Sequence, residues 1–269
     1  KNGVITDATT AHSGHYAIGV ETGFGPTLDI KPSTELPVAG FKASAWVKGQ
    51  PEAYLHIEVN GVWESHQRVF NNIGSTDAWN LLEVEISREW VGEALAAGKT
   101  IRTYVGNESS EVAYFDDLRI LPSDAQMETY TYSPFVGMTS AISPANQSVG
   151  FEYDALFRNN IARDQDGNVR MFRNFSLSGN PEPGQNWVKT NKIRVPLQDT
   201  TVIANLDASE RTSYLEYFDG LGRTEQRIIR QYSPNERDLV MPVAYDGFGL
   251  TTKTYEPYID TGGKGEFKQ

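Results

Sequence analysis

Three carboxylates have types and spacing that can do chemistry. Glu83 and Glu85 are two residues apart in Leu82-Glu83-Val84-Glu85-Ile86, so a strand would turn both to one face, and Glu58 sits in another alternating run. A carboxyl pair roughly 5–10 Å apart can flank a glycosidic bond, one as acid and one as nucleophile or base. Carboxylates at i and i+2 on a strand are more often simply solvated, and that is the reading adopted here. His12 and His15 are possible metal ligands, but no third or fourth ligand has suitable local spacing, so they read as strand-entry residues. Asp164, Asp166 and Asn168 open like a calcium loop. The glycine falls at the fourth place instead of the sixth and the twelfth place is Phe175, so the run reads as a β-turn. Aromatic rings offer a different chemistry, stacking on the C–H face of a sugar. Trp46, Trp79 and Trp90 are candidates, with Trp46 and Trp79 in framework runs that predict burial. Trp63, beside the Asn60-Gly61 turn, and Tyr54 are expected to be exposed and are the candidate carbohydrate-binding residues. No Gly-x-Ser-x-Gly elbow, phosphate loop or dinucleotide fingerprint occurs. No catalytic residue is assigned and the chain is not expected to be an enzyme.

Composition narrows the partners. The 269 residues carry a net charge of −11 with no basic run, which argues against nucleic acid. There are no cysteines, which removes disulfides and thiolate chemistry. No apolar run approaches the roughly 20 residues of a membrane helix, so no membrane insertion is expected. The chain opens mid-pattern at Lys1-Asn2-Gly3 and stops at Lys268-Gln269, which reads as an excised part of something longer.

The elements that must position these residues are strands. Phe41–Lys48, Tyr54–Val59, Leu82–Ile86, Ile101–Val105 and Ala113–Leu121 alternate apolar and polar residues, and Asn60-Gly61 marks a hairpin. Ile101, Thr103 and Val105 share one face. The only helical candidate is Glu89 to Ala97, stopped by Gly98. Leu121-Pro122-Ser123-Asp124 reads as a boundary, giving a sandwich over 1–122.

Beyond it an aromatic–aspartate signature recurs. Tyr153-Asp154-Ala155-Leu156-Phe157-Arg158 is followed by Tyr217-Phe218-Asp219-Gly220-Leu221-Gly222-Arg223 and Tyr245-Asp246-Gly247-Phe248-Gly249, with a degenerate copy at Tyr132. Each copy reads as a strand, a turn and a returning strand. Aspartate can bond its own backbone across the turn, and glycine can supply a positive φ. Phe157 stands where glycine is usual. Arg158 and Arg223 are expected to pair with an adjacent hairpin, and the tyrosines to pack on one another. A first set of hairpins is assigned to 123–179. After it come the Pro/Gly loop from Gly179 to Asn186 and a second block over 180–269, whose tail from Asp260 reads as flexible.

The first part resembles the jelly-roll carbohydrate-binding modules of the galactose-binding-like superfamily. The resemblance is carried by Ala11–Ile18, Ser44-Ala45-Trp46-Val47-Lys48, Trp79 before Leu82-Glu83-Val84, and Tyr114-Phe115-Asp116-Asp117-Leu118-Arg119-Ile120. It implies glycan as a possible partner and a structural calcium near Asp117, the one cofactor in question. The second part resembles tyrosine-aspartate repeat proteins of the Rhs type in the form found in Bacteroidota, through Phe151–Arg158, Arg163–Asn168, Tyr217–Arg223 and Pro242–Tyr258. That resemblance implies an extracellular or cell-surface protein whose repeats coil into a shell, with the rest of the shell as partner. The expected fold is all-β, a jelly-roll β-sandwich followed by a curved antiparallel sheet of hairpin repeats. The expected role is structural or adhesive, the alternative being a carbohydrate-binding module on a hairpin stalk. Tyr132, Tyr153, Asp154, Arg158, Tyr217, Asp219, Gly222, Arg223, Tyr245 and Asp246 are the expected repeat-building residues.

Overall fold

The structure, a computed structural model, describes residues 3–5, 11–14, 16–32, 40–62, 66–72, 77–176, 186–262 and 265–268. Trp63, His15, Gly263 and the Gly179–Gln185 part of the Pro/Gly loop lie outside the described residues. The chain forms two compact units, Lys1–Ser148 and Val149–Gln269.

In the first unit the strands are β1 (Gly3–Ile5), β2 (Ile18–Val20), β3 (Gly23–Ile30), β4 (Gly40–Lys48), β5 (Ala53–Val59), β6 (His66–Phe70), β7 (Asn80–Ser87), β8 (Ile101–Asn107), β9 (Ala113–Pro122), β10 (Thr129–Ser133) and β11 (Gly137–Ile142). Two antiparallel sheets, ordered β1-β2-β9-β4-β7 and β3-β8-β5-β6, make a sandwich of jelly-roll type. Its core takes Phe41, Ala43, Ala45 and Val47 from β4, Leu82, Val84 and Ile86 from β7, Leu55, Ile57 and Val59 from β5, and Ile101 and Val105 from β8. These are alternate residues of each strand, so one face is apolar and the other is left for other work. Burying each of the large side chains contributes roughly 1.5–3 kcal/mol. The helix α1 spans Arg88–Ala96, one residue earlier than the sequence suggests. Ser87 accepts from the Trp90 N–H, and Gly98 at φ +62° ends the helix.

β9 ends at Pro122, but the unit continues to Ser148. The buried Arg119 guanidinium donates to Asn146 and Thr129, and the Asn146 amide donates to Ser44 and Glu83. Two side chains thus hold the β10–β11 hairpin to the sandwich.

The second unit holds β12 (Ser148–Tyr153), β13 (Asn159–Asp164), β14 (Val169–Ser176), β15 (Asn186–Ile193), β16 (Arg211–Phe218), β17 (Thr224–Ile229), β18 (Leu239–Tyr245), β19 (Thr251–Thr254) and β20 (Tyr258–Ile259). β12 to β19 pair in chain order, and β20 adds to β18. Four of the turns share one geometry. In Asp154–Arg158, Asp164–Asn168, Asp219–Arg223 and Asp246–Leu250 the aspartate N–H donates to the fifth residue's carbonyl. Its carbonyl accepts from the fourth residue. Its Oδ1 accepts the N–H groups of the third and fifth residues, at 2.8–3.1 Å. The fourth residue is left-handed in every case: Phe157 at φ 58°, Gly167 and Gly222 at 78°, Gly249 at 79°. This is a three-residue hairpin loop closed by a bulge, and the bulge is where the strand register shifts.

Arg158 and Arg223 correct an expectation. Each bonds the aspartate of its own turn, Asp154 Oδ2 at 2.8 Å and Asp219 Oδ2 at 2.7 Å, and offers the next hairpin a cation face. Arg158 lies 4.1 Å over Phe175 and Arg223 lies 4.5 Å over Tyr245. Among the described residues no ring contact joins one of the repeat tyrosines to another. Tyr132 is exposed, Tyr153 is half-buried, Tyr245 donates to the Thr224 carbonyl, and Tyr217 is buried.

The tail is a second correction. The Tyr217 hydroxyl donates to the Gly265 carbonyl at 2.6 Å, and its ring meets Phe267 edge-on. Lys268 exchanges two backbone bonds with the Gln226 side chain. The buried Asp238 accepts from Gly265 and Gln231. Glycine-rich composition obscured a segment that is docked through its backbone.

The turn geometry sets opposite signs for two substitutions. Phe157→Gly relieves a left-handed phenylalanine that is largely exposed and should raise stability by about 0.5–1 kcal/mol. Gly222→Ala should lower it by about as much. Urea midpoints measure both, and equal midpoints for all three proteins would contradict the strain.

Candidate ligand-binding face

Strand alternation leaves a second face on the sheet β3-β8-β5-β6. Its register sets out three rows of four residues. The first row is Asp29, Arg102, Glu58, His66. The second is Thr27, Tyr104, His56, Arg68. The third is Phe24, Gly106, Tyr54, Phe70. Directly opposed residues in an antiparallel sheet share a face, so these side chains are neighbours.

Tyr54 is not the exposed ring expected of it; it is 3% exposed. Its phenol lies over Gly106, where a Cβ would come within 2.4 Å of the ring. The Arg68 guanidinium covers it at 4.1 Å, and Phe70 closes its edge. Burial holds the phenol pKa above its ordinary value. Tyr54 is therefore a foundation. Trp63 lies outside the described residues, and Trp46 is buried as expected.

The ring that does reach solvent is Phe24, 58% exposed, edge-on to Tyr104 at 5.3 Å. These two, with Gly25, Thr27, Glu58 and Arg102, line a cleft of about 370 Å³. That volume lies within the roughly 300–1,000 Å³ range of small-ligand sites. Polar groups converge on the same place. Arg102 makes a bidentate pair with Asp29, at 2.8 and 3.0 Å, which lowers the Asp29 pKa. A hydrogen-bond chain fixes Glu58: Arg68 bonds Glu108 at 2.8 Å and donates Nε–H to His56 Nδ1 at 3.5 Å, and His56 Nε2 lies 3.2 Å from Glu58 Oε2. Arg68 has only protons to give, so Nδ1 accepts and Nε2 carries the hydrogen toward Glu58. Burial of His56 lowers its pKa and favours that neutral form.

Glu58 does not join the other two candidate carboxylates, which share the exposed face of β7. Glu58 is on β5, whereas Glu83 and Glu85 are on β7 of the other sheet, and Glu83 pairs with Lys42 at 2.7 Å. His12 is not a strand-entry residue alone. A bulge in β9 places Asp117 at φ 51° and turns Asp116 and Asp117 toward it. Asp117 takes His12 Nδ1 on one oxygen (2.8 Å) and the Ser13 hydroxyl on the other (2.7 Å). Asp116 accepts three backbone N–H groups, from His12, Ser13 and Asp117. His12 also stacks on Trp46 at 4.1 Å. Calcium takes six to eight oxygens. Here the oxygens of Asp116 and Asp117 already face donors, and no group of three or more metal-binding side chains occurs among the described residues.

Asp154, Arg158, Asp219, Gly222, Arg223 and Asp246 form the turns described above and are spread along the second unit instead of converging. Sequence reasoning missed Phe24, Tyr104 and Arg102 as site residues. The signal for two of them was present, because assigning Ile101, Thr103 and Val105 to one face puts Arg102 and Tyr104 on the other.

Residues 182–269 match a family model described as a domain of unknown function, DUF6443. No curated protein sequence matches the chain. Solved structures with partial likeness include TmCBM61 in complex with β-1,4-galactotriose (17% identity, 45% of this chain and 82% of that one, TM-score 0.31). Others are a family 16 carbohydrate-binding module (13%, 44% and 84%, 0.31) and the CBM22-2 xylan-binding domain of Paenibacillus barcinonensis Xyn10C (15%, 45% and 87%, 0.29). No function for this chain follows from likenesses at that level.

The paired aspartates carry a pH dependence. Burial, then the charge of Asp117, raises the Asp116 pKa from 3.8 to about 6, against the pull of its three backbone donors. A carboxyl with a raised pKa binds its proton more tightly folded than unfolded. Its stabilising contribution is thus full below pH 3.8 and is lost as pH rises through about 6. The loss is roughly 3 kcal/mol. Carbon-13 titration of the carboxyls should find Asp116 near 6; a midpoint near 4 would refute the assignment.

Proposed function

We propose that the first unit binds a neutral glycan in the Phe24–Tyr104 cleft and that the second unit is a non-catalytic scaffold of hairpins. The observation that carries the glycan reading is an exposed aromatic ring beside a held carboxylate and a held guanidinium. A flat ring offers a stacking surface to a sugar face, while Glu58 accepts from hydroxyls and Arg102 donates to them. The Arg102 charge is already met by Asp29, so Glu58 leaves the cleft net negative, which disfavours uronic acids. Among the described residues Glu58 is the one carboxylate lining the cleft, with Glu83 and Glu85 on the other sheet, which supports binding without hydrolysis.

The repeated aspartate turns support a further reading, that both units belong to a secreted or cell-surface protein of the Rhs type. In it the hairpins would form part of a shell with the rest of that protein. Negative-stain images of the complete natural protein test this: a closed hollow particle agrees with it, an extended or compact solid one does not.

A glycan array followed by calorimetry tests the cleft. Phe24→Ala should weaken binding by at least tenfold, about 1.4 kcal/mol, and leave the melting temperature within a degree, because Phe24 supports no core. Absence of binding to any neutral glycan would remove the proposal.

A further inference from the structure

Several cations of the second unit are met by acids. Arg158 pairs with Asp154, Arg163 with Glu152, Arg170 with Asp164, Arg223 with Asp219, Arg227 with Glu216 and Lys268 with Asp260. Three that are not so met lie together. In the β15–β16 register Lys189 faces Leu215, Asn191 faces Ser213 and Ile193 faces Arg211, so Lys189, Asn191, Ser213 and Arg211 share one face. Arg230 follows β17, where Ile228 faces Leu215, and its N–H donates to the Ser213 carbonyl at 2.9 Å. Alternation puts its side chain on that same face, with its stem against Gly265.

Nothing among the described residues neutralises these charges. None of the three joins an ion pair. All are half-buried. Arg211 donates to the carbonyls of Ile203 and Ala204, which carry no formal charge. The Arg230 Nε–H is buried with no hydrogen-bond partner. Asn191 and Ser213 beneath them are buried and bonded to each other at 2.8 Å. The cations also act on one another: burial, then Arg230 and Arg211, lowers the Lys189 pKa, and burial, then Arg230, lowers that of Arg211. Like charges held together partly out of water, one with an unmet buried donor, are costly unless an anion joins them. In a chain of net charge −11 their survival side by side is the more telling.

We propose that Lys189, Arg211 and Arg230 form a binding site for a tetrahedral oxyanion, a phosphate or sulfate group. Three donors on separate strands and turns suit an ion with oxygens in several directions, and two guanidinium groups suit its charge. The site lies in the second unit and is independent of the glycan reading.

Calorimetry and thermal melting of the whole chain test it with inorganic phosphate, inorganic sulfate and glucose 6-phosphate, against chloride at equal ionic strength. Phosphate or sulfate should bind saturably, raise the melting temperature by several degrees, and shift the Arg230 Nε–H resonance. Tighter binding of glucose 6-phosphate would mark the group as one carried on a sugar, and equal binding would mark the free ion. Lys189→Met should weaken phosphate at least about tenfold while melting no lower than the parent in chloride, since it removes an unmet charge. Equal effects of phosphate and chloride, or parent-like affinity in Lys189→Met, would overturn the proposal. If that variant fails to fold, an unmoved Arg230 resonance in the parent would overturn it equally.

Discussion

Backbone N–H groups at the ends of hairpins must find acceptors, and the second unit is organised by how it meets that demand. A three-residue loop leaves two N–H groups pointing inward that no neighbouring strand can take. Aspartate at the first position supplies one oxygen to both and keeps the other for a guanidinium. Arg158 holds the Asp154 carboxyl below its ordinary pKa, first by its side-chain bond and then by its N–H, while at Asp219 the Arg223 N–H leads. Serine can do half the task. Ser143 and Ser233 begin loops of the same shape and their hydroxyls each take one N–H, from Gln147 and Arg237. The left-handed fourth residue, the bulge and the returning arginine follow from closing the loop this way.

Once the loop is closed, its arginine is aimed. Arg223 lies over Tyr245, and its NH1 comes so near Gly249 that a Cβ there would stand 2.7 Å away. One turn therefore dictates both the aromatic and the glycine of the next. At that pair of turns tyrosine, aspartate, glycine and arginine are parts of one interaction; Arg158 repeats its cation contact over Phe175, and Leu250, where arginine would stand in the last copy, leaves that turn without its cation.

What could be read from the residues divides along the same physical line. Alternation and turn chemistry are local, so the sandwich strands, the helix near Glu89 and the Asp166-Gly167 hairpin were legible. At Phe157 the sequence showed only that the usual glycine was missing; the chain takes a φ of 58° there all the same. Contacts at long range were not legible. Whether Tyr54 is exposed depends on Gly106 and Arg68, brought beside it only by the register of three strands. Whether Arg158 pairs inside or outside its turn depends on a carboxylate geometry that spacing does not reveal. The tail looked mobile because glycine weakens any local preference, yet Asp238 and Gln226 bind its backbone and need no side chain from it.

The two units also treat charge differently, and the difference separates framework from function. In the sandwich the Glu108–Arg68–His56–Glu58 chain alternates donor and acceptor, so every link orients the next and Glu58 reaches the cleft already held. Preorganisation of that kind reduces the ordering cost of binding. Arg68 also covers Tyr54, so the residue that completes the polar chain completes the aromatic floor. A face built only to shed water would need neither. Around Lys189 the logic runs the other way: donors are assembled and no acceptor with charge is supplied. A framework built for stability alone would place an acid or an apolar side chain there, as it does at each of the aspartate turns.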